Sequence, residues 1–308
     1  MNIIGHKYVY LTFSGILVLG SIVALLVWKL NVGIDFTGGS LMEIAFTQGT
    51  MPTVENVKEV LAPLTLGDIT VQPIGNDGTN SPKGMILRFR DVDEQTHQQI
   101  LAALGGLKGP KETIERRFDT IGPTVGKGLR TQSFIAIGLT ALGIVLYLAW
   151  AFRRVSKPVA SWKYGVVAVS AFIHDVMIPV GVFAFLGHFH GVAVDALFIT
   201  ALLTVMGFSV HDTIVIFDRI RENLAKLKHA EPYEITVNRS VNETISRSIN
   251  TSFTVLMVLL AVFFFGGETT RYFSLALIVG IIFGTYSSIS VASPLLVLWE
   301  RFDKRKSK

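Results

Sequence analysis

Six long apolar stretches constrain the fold of this 308-residue chain more than any other feature. They cover residues 8–28, 132–152, 163–186, 196–217, 247–265 and 272–298. A helix needs about 20 predominantly apolar residues to cross a bilayer, and each stretch is close to or above that length. With 50% hydrophobic and only 17% charged residues, the composition also excludes a soluble or a disordered protein. The sequence therefore predicts an α-helical polytopic membrane protein with six transmembrane helices.

The distribution of lysine and arginine predicts how these helices are oriented. The termini and the loops after the second and fourth stretches together carry sixteen of these residues. The opposite short loops, 187–194 and 266–271, carry only Arg271. Because cytoplasmic loops are enriched in Lys and Arg, both termini are predicted to be cytoplasmic. The net charge of +5 is then a topology signal and gives no reason to expect nucleic-acid binding.

This orientation divides the chain into four regions. Residues 1–29 form the cytoplasmic N-terminus and the first helix, whose apolar run is too long for a signal peptide and is interpreted as an uncleaved anchor. Residues 30–131 form one periplasmic domain, and residues 132–300 contain the other five helices. We interpret 218–246 as a cytoplasmic loop with one or two helices lying at the membrane surface, or else a solvated connector. A basic cytoplasmic tail, 301–308, follows.

The periplasmic region has the patterning of a small α+β domain. Strands are predicted at 41–46, 69–74, 85–90 and 113–119, and helices at 53–61 and 94–104. Thr53 and Asp93 are the predicted N-caps, and a turn-rich stretch lies at 75–82. The order βαββαβ is that of the ferredoxin-like arrangement. His97 lies alone on a polar helix face, so we expect it to be exposed to solvent.

The first site inside the membrane is His174-Asp175, in the middle of the third stretch. An ionisable residue within a membrane span is costly and indicates function by default. A local packing network, in which His174 or a hydroxyl satisfies Asp175, explains the pair as well as a transport role does.

A second site combines the fourth and fifth stretches. Arg247, Asn250, Thr251 and Thr254 form a polar stripe, and Asp212 shares a helix face with other polar residues. Two polar stripes on apolar helices should face each other, which would pair Asp212 with Arg247. Burial raises the pKa of a carboxylate and a nearby arginine lowers it, so this pair suits a proton relay. A static buried salt bridge remains the structural alternative.

Other chemistries are less well supported by the residues. An aspartyl dyad of Asp175 and Asp212 lacks the G-x-G-D pattern of intramembrane proteases. A metal site would need two His-Asp pairs to converge, since adjacent helix residues point about 100° apart. The chain has no cysteine, which excludes disulfides, thiolate metal sites and a thiol nucleophile. We therefore expect no enzyme activity, no metal and no cofactor.

Several long motifs resemble the SecD/SecF family of the resistance–nodulation–division superfamily, over nearly the whole chain. One is Val32-Gly33-Ile34-Asp35-Phe36-Thr37-Gly38-Gly39, and another is Ile121-Gly122-Pro123-Thr124-Val125-Gly126. The most specific are the strings at 207–223 and 240–252, which contain Asp212 and Arg247. We expect the first motif to act as a joint, because glycine reaches backbone angles closed to other residues, unless it is a simple tight turn.

The resemblance implies a function that composition does not show. Chains of this layout, the SecF members, pair with SecD and associate with the SecYEG channel and with YajC. They reside in the bacterial inner membrane and use the proton-motive force to assist preprotein export after the ATP-driven stage. The aspartate and arginine at the positions of Asp212 and Arg247 are implicated in proton conduction.

One departure and two alternatives accompany this resemblance. The family usually has asparagine where this chain has His211, which would either tune the proton step or act as a neutral replacement. A structural assembly subunit without its own proton step is the main alternative function. Drug efflux, as in distant superfamily relatives, is disfavoured because the chain has one small outside domain rather than two.

Overall fold

A computed structural model describes residues 1–49, 51–74, 84–107, 110–151, 160–227 and 231–306. These residues form two compact units. The first, here called the helical unit, comprises Met1–Asn31 and Ile135–Lys308, and the second, the sheet unit, is Val32–Phe134. The predicted turn at 75–82 and several basic residues of the loops lie outside the described residues.

The described helices account for all six predicted spans. In chain order they are α1 (Lys7–Trp28), α2 (Ile34–Thr37), α3 (Val54–Leu61), α4 (Glu94–Gly105), α5 (Pro123–Ala151), α6 (Ser161–His190), α7 (Ala196–Leu227), α8 (Tyr233–Phe265), α9 (Glu268–Ser287) and α10 (Ser293–Lys306). A π-helical turn, Ser288–Ala292, joins α9 to α10. Six helical segments are long and apolar enough to cross a membrane, namely Ile4–Trp28, Pro123–Ala151, Trp162–His190, Ala196–Lys226, Tyr233–Phe265 and Thr270–Arg305. The chain is therefore a multi-pass membrane protein.

The segment between the fourth and fifth spans differs from the prediction. No separate surface helix is present in the described part of 218–246, because α7 continues to Leu227 and α8 already begins at Tyr233. Apolar residues continue to recur at helical spacing in both extensions: Ile220 and Leu224 are buried on α7, and Val237 and Val241 are buried on α8. Their burial makes both extensions part of the bundle core rather than surface-lying helices.

Small residues set the distance between the packed helices. At Gly280 of α9, a Cβ atom would lie 2.2 Å from Cγ2 of Val205 on α7. At Gly181 of α6, a Cβ atom would lie 2.4 Å from Cβ of Ser21 on α1. Neither contact leaves room for a side chain at the glycine, so the glycine backbone packs directly against the neighbouring residue. Close approach through small residues is the usual way in which membrane helices associate.

The sheet unit has the predicted βαββαβ order. Its strands are β1 (Gly39–Gly49), β2 (Thr70–Ile74), β3 (Gly84–Phe89) and β4 (Pro110–Ile121), in the spatial order β2-β3-β1-β4. Every neighbouring pair is antiparallel. One face of this sheet packs against α3 and α4 through a core that includes Met42, Ile44, Leu61, Leu87 and Ile100.

Both predicted helix caps of this unit are confirmed. The Thr53 hydroxyl accepts a hydrogen bond from the Asn56 backbone N–H at 3.2 Å. The Asp93 carboxylate accepts one from the Thr96 N–H at 2.9 Å. Hydrogen bonds from the Thr96 side chain and then from its backbone N–H lower the pKa of Asp93. These bonds satisfy N–H groups that the first turn of a helix leaves unpaired.

The prediction for His97 was wrong, because its side chain is only 7% exposed. Its ring stacks on Phe118, and its nitrogens lie 3.2 Å from Glu94 and 3.1 Å from Glu115. A β-bulge creates this pocket. Arg116 is the extra residue, so Glu115 pairs with Ile44 and Phe118 with Met42, which places both on the inner face. Sequence alternation alone would put positions 115 and 118 on opposite faces.

Candidate functional site in the membrane-spanning helices

A buried carboxylate on α6 joins three helices of the helical unit. Asp175 has no exposed surface. Its Oδ1 lies 2.8 Å from Nδ1 of His174, and its Oδ2 accepts hydrogen bonds from the hydroxyls of Ser209 on α7 and Ser287 on α9, the latter at 2.7 Å. The packing network that the sequence offered as one explanation is therefore formed. Its hydroxyl donors lie on two other helices.

The hydroxyl network continues beside the π-helical turn. Ser288, the first residue of that turn, lies 2.9 Å from the Thr213 hydroxyl, and Thr213 donates to the Ser209 carbonyl at 3.1 Å. Ser293 donates to the Ser288 carbonyl at 3.2 Å, five residues earlier in the chain. A π-turn within an otherwise α-helical span is frequently associated with a functional site.

The second predicted carboxylate, Asp212, is buried on α7 with 3% exposure. The side chain of Ser248 on α8 lies beside this carboxyl group. Even so, Oδ2 of Asp212 and the Ser248 hydroxyl have no hydrogen-bond partner within bonding geometry among the described residues. A carboxylate oxygen that is buried in a membrane span without a protein donor is costly.

The expected ion pair of Asp212 with Arg247 is not formed in the described part of the chain. Arg247 is exposed and contributes to a polar cleft of about 360 Å³ between α7 and α8. Asp218, Arg219, Glu222 and Glu243 also line this cleft. Arg219 bridges the two helices by pairing with Glu243 at 2.6 Å. His211, next to Asp212, is exposed as well.

The polar face by which α8 packs against its neighbours is not the predicted one. Asn250 and Thr251 are exposed, together with Arg247 and Thr254. The buried polar residues recur every four positions instead, at Thr236, Ser240, Thr244, Ser248 and Ser252. Small hydroxyl residues allow closer approach than arginine and asparagine do, so this second stripe faces the bundle. Ser252, for example, lies 2.5 Å from the Thr285 hydroxyl of α9.

The two glycine motifs come together within the sheet unit. Gly38 and Gly39 have φ angles of 75° and 121°, which disfavour any other residue. At Gly126 a Cβ atom would lie 2.8 Å from the Gly38 nitrogen, and at Gly38 one would lie 2.8 Å from Cα of Pro123. The motifs thus interlock by backbone contact.

The other members of these motifs have simpler positions. Gly33 precedes α2 with an extended backbone, and Asp35 lies within that single turn. At Gly122, directly before α5, a Cβ atom would meet open space. The first glycine motif therefore contains a tight turn, which was the simpler alternative, and its role as a joint between units remains a prediction.

The sequence did not predict the serine partners of Asp175. Ser209 was recognisable only as a polar residue on the helix face of Asp212, and nothing in the sequence singled out Ser287 as a hydrogen-bond donor. A weak signal existed: a run of small residues, from Gly280 through Gly284 to Ser287 and Ser288, lies in an apolar span. Serine there predicts close packing, but only the packed helices show which carboxylate receives the hydroxyl.

Comparison with known proteins decides the family. The model of the SecD/SecF C-terminal domain, described as a protein export membrane protein, matches residues 104–302. The SecD/SecF GG motif matches residues 23–50, which contain the interlocked Gly38 and Gly39. The chain belongs to the SecD/SecF family. The resemblance drawn from the motif strings is confirmed.

Curated relatives match the chain over nearly its full length. The protein translocase subunit SecF of Thermobaculum terrenum is 42% identical, covering 98% of this chain and 95% of the relative. The protein translocase subunit SecF of Anaerolinea thermophila is 37% identical, covering 97% and 94% respectively. The six spans and the sheet unit therefore belong to a layout shared with these SecD/SecF family members.

Solved structures of SecDF share the fold. The crystal structure of SecDF, a translocon-associated membrane protein from Thermus thermophilus, aligns with a TM-score of 0.81 and 31% identity. SecDF in its super-membrane-facing form aligns with a TM-score of 0.69 and 30% identity. The first match covers 98% of this chain but only 39% of the SecDF chain, and the second 100% and 40%. This family member thus spans about two-fifths of SecDF.

Proposed function

We propose that this chain is a subunit of the Sec protein-export machinery that works with SecD and uses the proton-motive force to assist preprotein translocation. The names of its relatives, protein translocase subunit SecF and translocon-associated SecDF, support the export role. The proton step is supported by Asp212, a buried carboxylate with an unpartnered oxygen inside a membrane helix.

The proposed mechanism starts from the packing of α7 against α8. When Asp212 is ionised, its buried charge has no basic partner among the described residues and favours an arrangement that brings in water or a cation. Protonation removes that charge and favours the closed packing against Ser248. Alternation between the two arrangements would repack the spans and move the sheet unit. Arg247, the residue directly before Ser248 on α8, is the cation available to the open arrangement.

The proposal includes location and partners. The excess of basic residues on one side supports cytoplasmic termini and a periplasmic sheet unit, and the proposed location of the chain is the bacterial inner membrane. SecD supplies the remaining helices, SecYEG the channel, and YajC is an accessory partner. No cofactor is required, since the proton gradient supplies the free energy.

The decisive experiment compares the wild type with Asp212→Asn in membrane vesicles that contain SecD and the channel at matched expression. The asparagine amide has the shape of the carboxyl group but does not take up or release a proton. We expect the gradient-dependent part of preprotein export to fall by at least about tenfold, with SecD still bound. Asp218→Asn is the matched control, because Asp218 is an exposed aspartate six residues further along α7.

Unchanged gradient-dependent export in Asp212→Asn would contradict the proton role of this residue. The alternative function, a structural assembly subunit without a proton step, would then be favoured. Loss of SecD binding in the same variant would instead identify Asp212 as an assembly residue, so SecD retention is measured on the same vesicles.

A further inference from the structure

The Asp175 cluster contains a buried acid whose negative charge is not balanced by a lysine or arginine. Among the described residues, the groups that contact its carboxyl are His174, Ser209 and Ser287. The other titratable groups near it are Tyr286, whose ring lies 6.2 Å from that of His174, and Asp212, one turn beyond Ser209 on α7. A fully buried carboxylate in this setting is costly to keep ionised unless His174 is charged, which favours the uptake of a proton by the carboxylate.

The geometry of His174 argues against a permanent imidazolium. Its Nδ1 lies 2.8 Å from Asp175, whereas its Nε2 is buried and has no hydrogen-bond partner among the described residues. An imidazolium would leave a charged N–H of Nε2 unsatisfied inside the bundle, which costs more than an unpaired neutral nitrogen. The neutral ring, with Nδ1–H donating to Asp175, therefore fits the structure better. It leaves the carboxyl group as the site for an added proton.

We propose that Asp175 is a second proton-binding site of the bundle, which holds α6, α7 and α9 together through its hydroxyl partners and releases one of them when it is protonated. This inference rests on the proposed proton-driven function, because a second proton-binding site is useful only if proton movement changes the packing of the helices. The occupant is a proton, taken up by Oδ2 of the carboxylate and returned from it.

The hydrogen-bond pattern of the cluster gives this site two states. In the ionised state Oδ2 accepts from both Ser209 and Ser287, and Oδ1 accepts from His174. A proton on Oδ2 makes that oxygen a donor and a weaker acceptor, so one serine accepts from it and the bond from the other serine is weakened or released. The cluster changes its bonding without any new residue entering it.

Ser287 is the partner whose release would have the larger effect. It is the last residue of α9, and the π-helical turn begins at the next residue. Its hydroxyl oxygen also lies 3.1 Å from the Gly284 carbonyl, so its single O–H has an alternative acceptor within its own helix. Because a π-turn and an α-turn differ by one residue in hydrogen-bond register, this segment is suited to absorb the change.

Infrared difference spectroscopy of the full chain, titrated in lipid membranes with aspartate labelled at the side-chain carbon, tests the site directly. A protonated carboxylic acid gives a carbonyl band that a carboxylate lacks. We expect a pH-dependent, label-sensitive acid band that disappears in Asp175→Asn and persists in Asp212→Asn and Asp218→Asn. In Ser287→Ala, which keeps the acid and removes one donor, the band should shift in frequency.

Each outcome either supports or overturns the inference. Superimposable wild-type and Asp175→Asn spectra at every pH would show an aspartate that never binds a proton. A band unaffected by both pH and Ser287→Ala would show a static acid, and this second variant decides the matter if Asp175→Asn does not fold. The readout does not involve export, so it is independent of the Asp212 result: either site can fail while the other stands.

Discussion

At the scale of the residue, a buried imidazole joins helix to strand in the sheet unit. His97 of α4 stacks on Phe118 of β4 with ring centroids 3.9 Å apart, and both ring nitrogens lie close to glutamates. Replacement by alanine would remove the stack and leave Glu115 without this partner. Losing a buried polar contact of this kind costs about 1–3 kcal/mol. We therefore expect His97→Ala to weaken the packing of α4 on the sheet.

Hydrogen exchange measured by mass spectrometry on the full chain checks this prediction. The amides of α4 should exchange about 5- to 140-fold faster in His97→Ala, which corresponds to the same 1–3 kcal/mol, whereas the amides of α7 and α9 should not change. Gln99→Ala is a matched control, since Gln99 is an exposed residue two positions further along the same helix. Equal protection of α4 in both variants would mean that the buried contacts of His97 do not stabilise this unit.

The same cluster predicts how acid affects the sheet unit. Hydrogen bonds from Gln98 and then His97 lower the pKa of Glu94, and hydrogen bonds from Thr96 lower that of Asp93. A carboxyl group whose pKa is lower in the folded state stabilises the fold above its ordinary value, and this contribution is lost as the pH falls through the lowered value. Both groups therefore favour the sheet unit at neutral pH and cease to do so in acid.

At the scale of the element, the α7–α9 contact depends on the missing side chain of Gly280. A Cβ atom there would meet Val205 at 2.2 Å, whereas at Gly207 of α7 it would meet nothing within 4 Å. Alanine has the higher helix propensity, by about 1 kcal/mol, so both substitutions should help the isolated helix. Overpacking a close contact costs about 1–3 kcal/mol. We expect Gly280→Ala to destabilise the bundle and Gly207→Ala to leave it unchanged or more stable.

Unfolding of the purified chain in detergent or bicelles separates these two variants. The midpoint of denaturation should fall for Gly280→Ala and hold or rise for Gly207→Ala. Equal midpoints would mean that α7 and α9 do not pack through Gly280. The comparison is free of the helix-propensity term, because the same change is made on two neighbouring helices.

The elements also show what patterning can and cannot predict. Apolar length located all six spans, and alternation with capping residues located the four strands and the two helices, α3 and α4, that pack on the sheet. Helix ends were missed where no breaker follows the apolar run, as at Leu227, where α7 ends ten residues beyond its predicted span. The packing face of α8 was predicted wrongly because one helix can carry two polar stripes. Periodicity on α8 predicted that the stripe of Arg247, Asn250, Thr251 and Thr254 faces the bundle. The smaller side chains of Ser248 and Ser252 occupy that face instead.

At the scale of the whole molecule, the exposed stripe of α8 indicates a surface for a partner. Thr251 and Thr254 donate to carbonyls of their own helix at 3.0 and 2.8 Å, so lipid contact costs them little. Asn250 lies on the same exposed face and forms no hydrogen bond among the described residues. A side-chain amide facing hydrocarbon is unfavourable, so a polar partner is expected there. The matched SecDF chain is more than twice as long as the aligned part.

Asn250→Leu should therefore weaken the association with SecD. An interhelical hydrogen bond in a membrane contributes about 0.6–2 kcal/mol, so SecD retained on the purified chain should fall about 3- to 30-fold in affinity. Thr251→Val and Thr254→Val are matched controls, because their hydroxyls already have partners within α8 and should change retention little. If Asn250→Leu retained SecD fully and also stabilised the isolated chain, the stripe would face lipid. The polar groups of the proposed SecD interface would then have to lie on another helix.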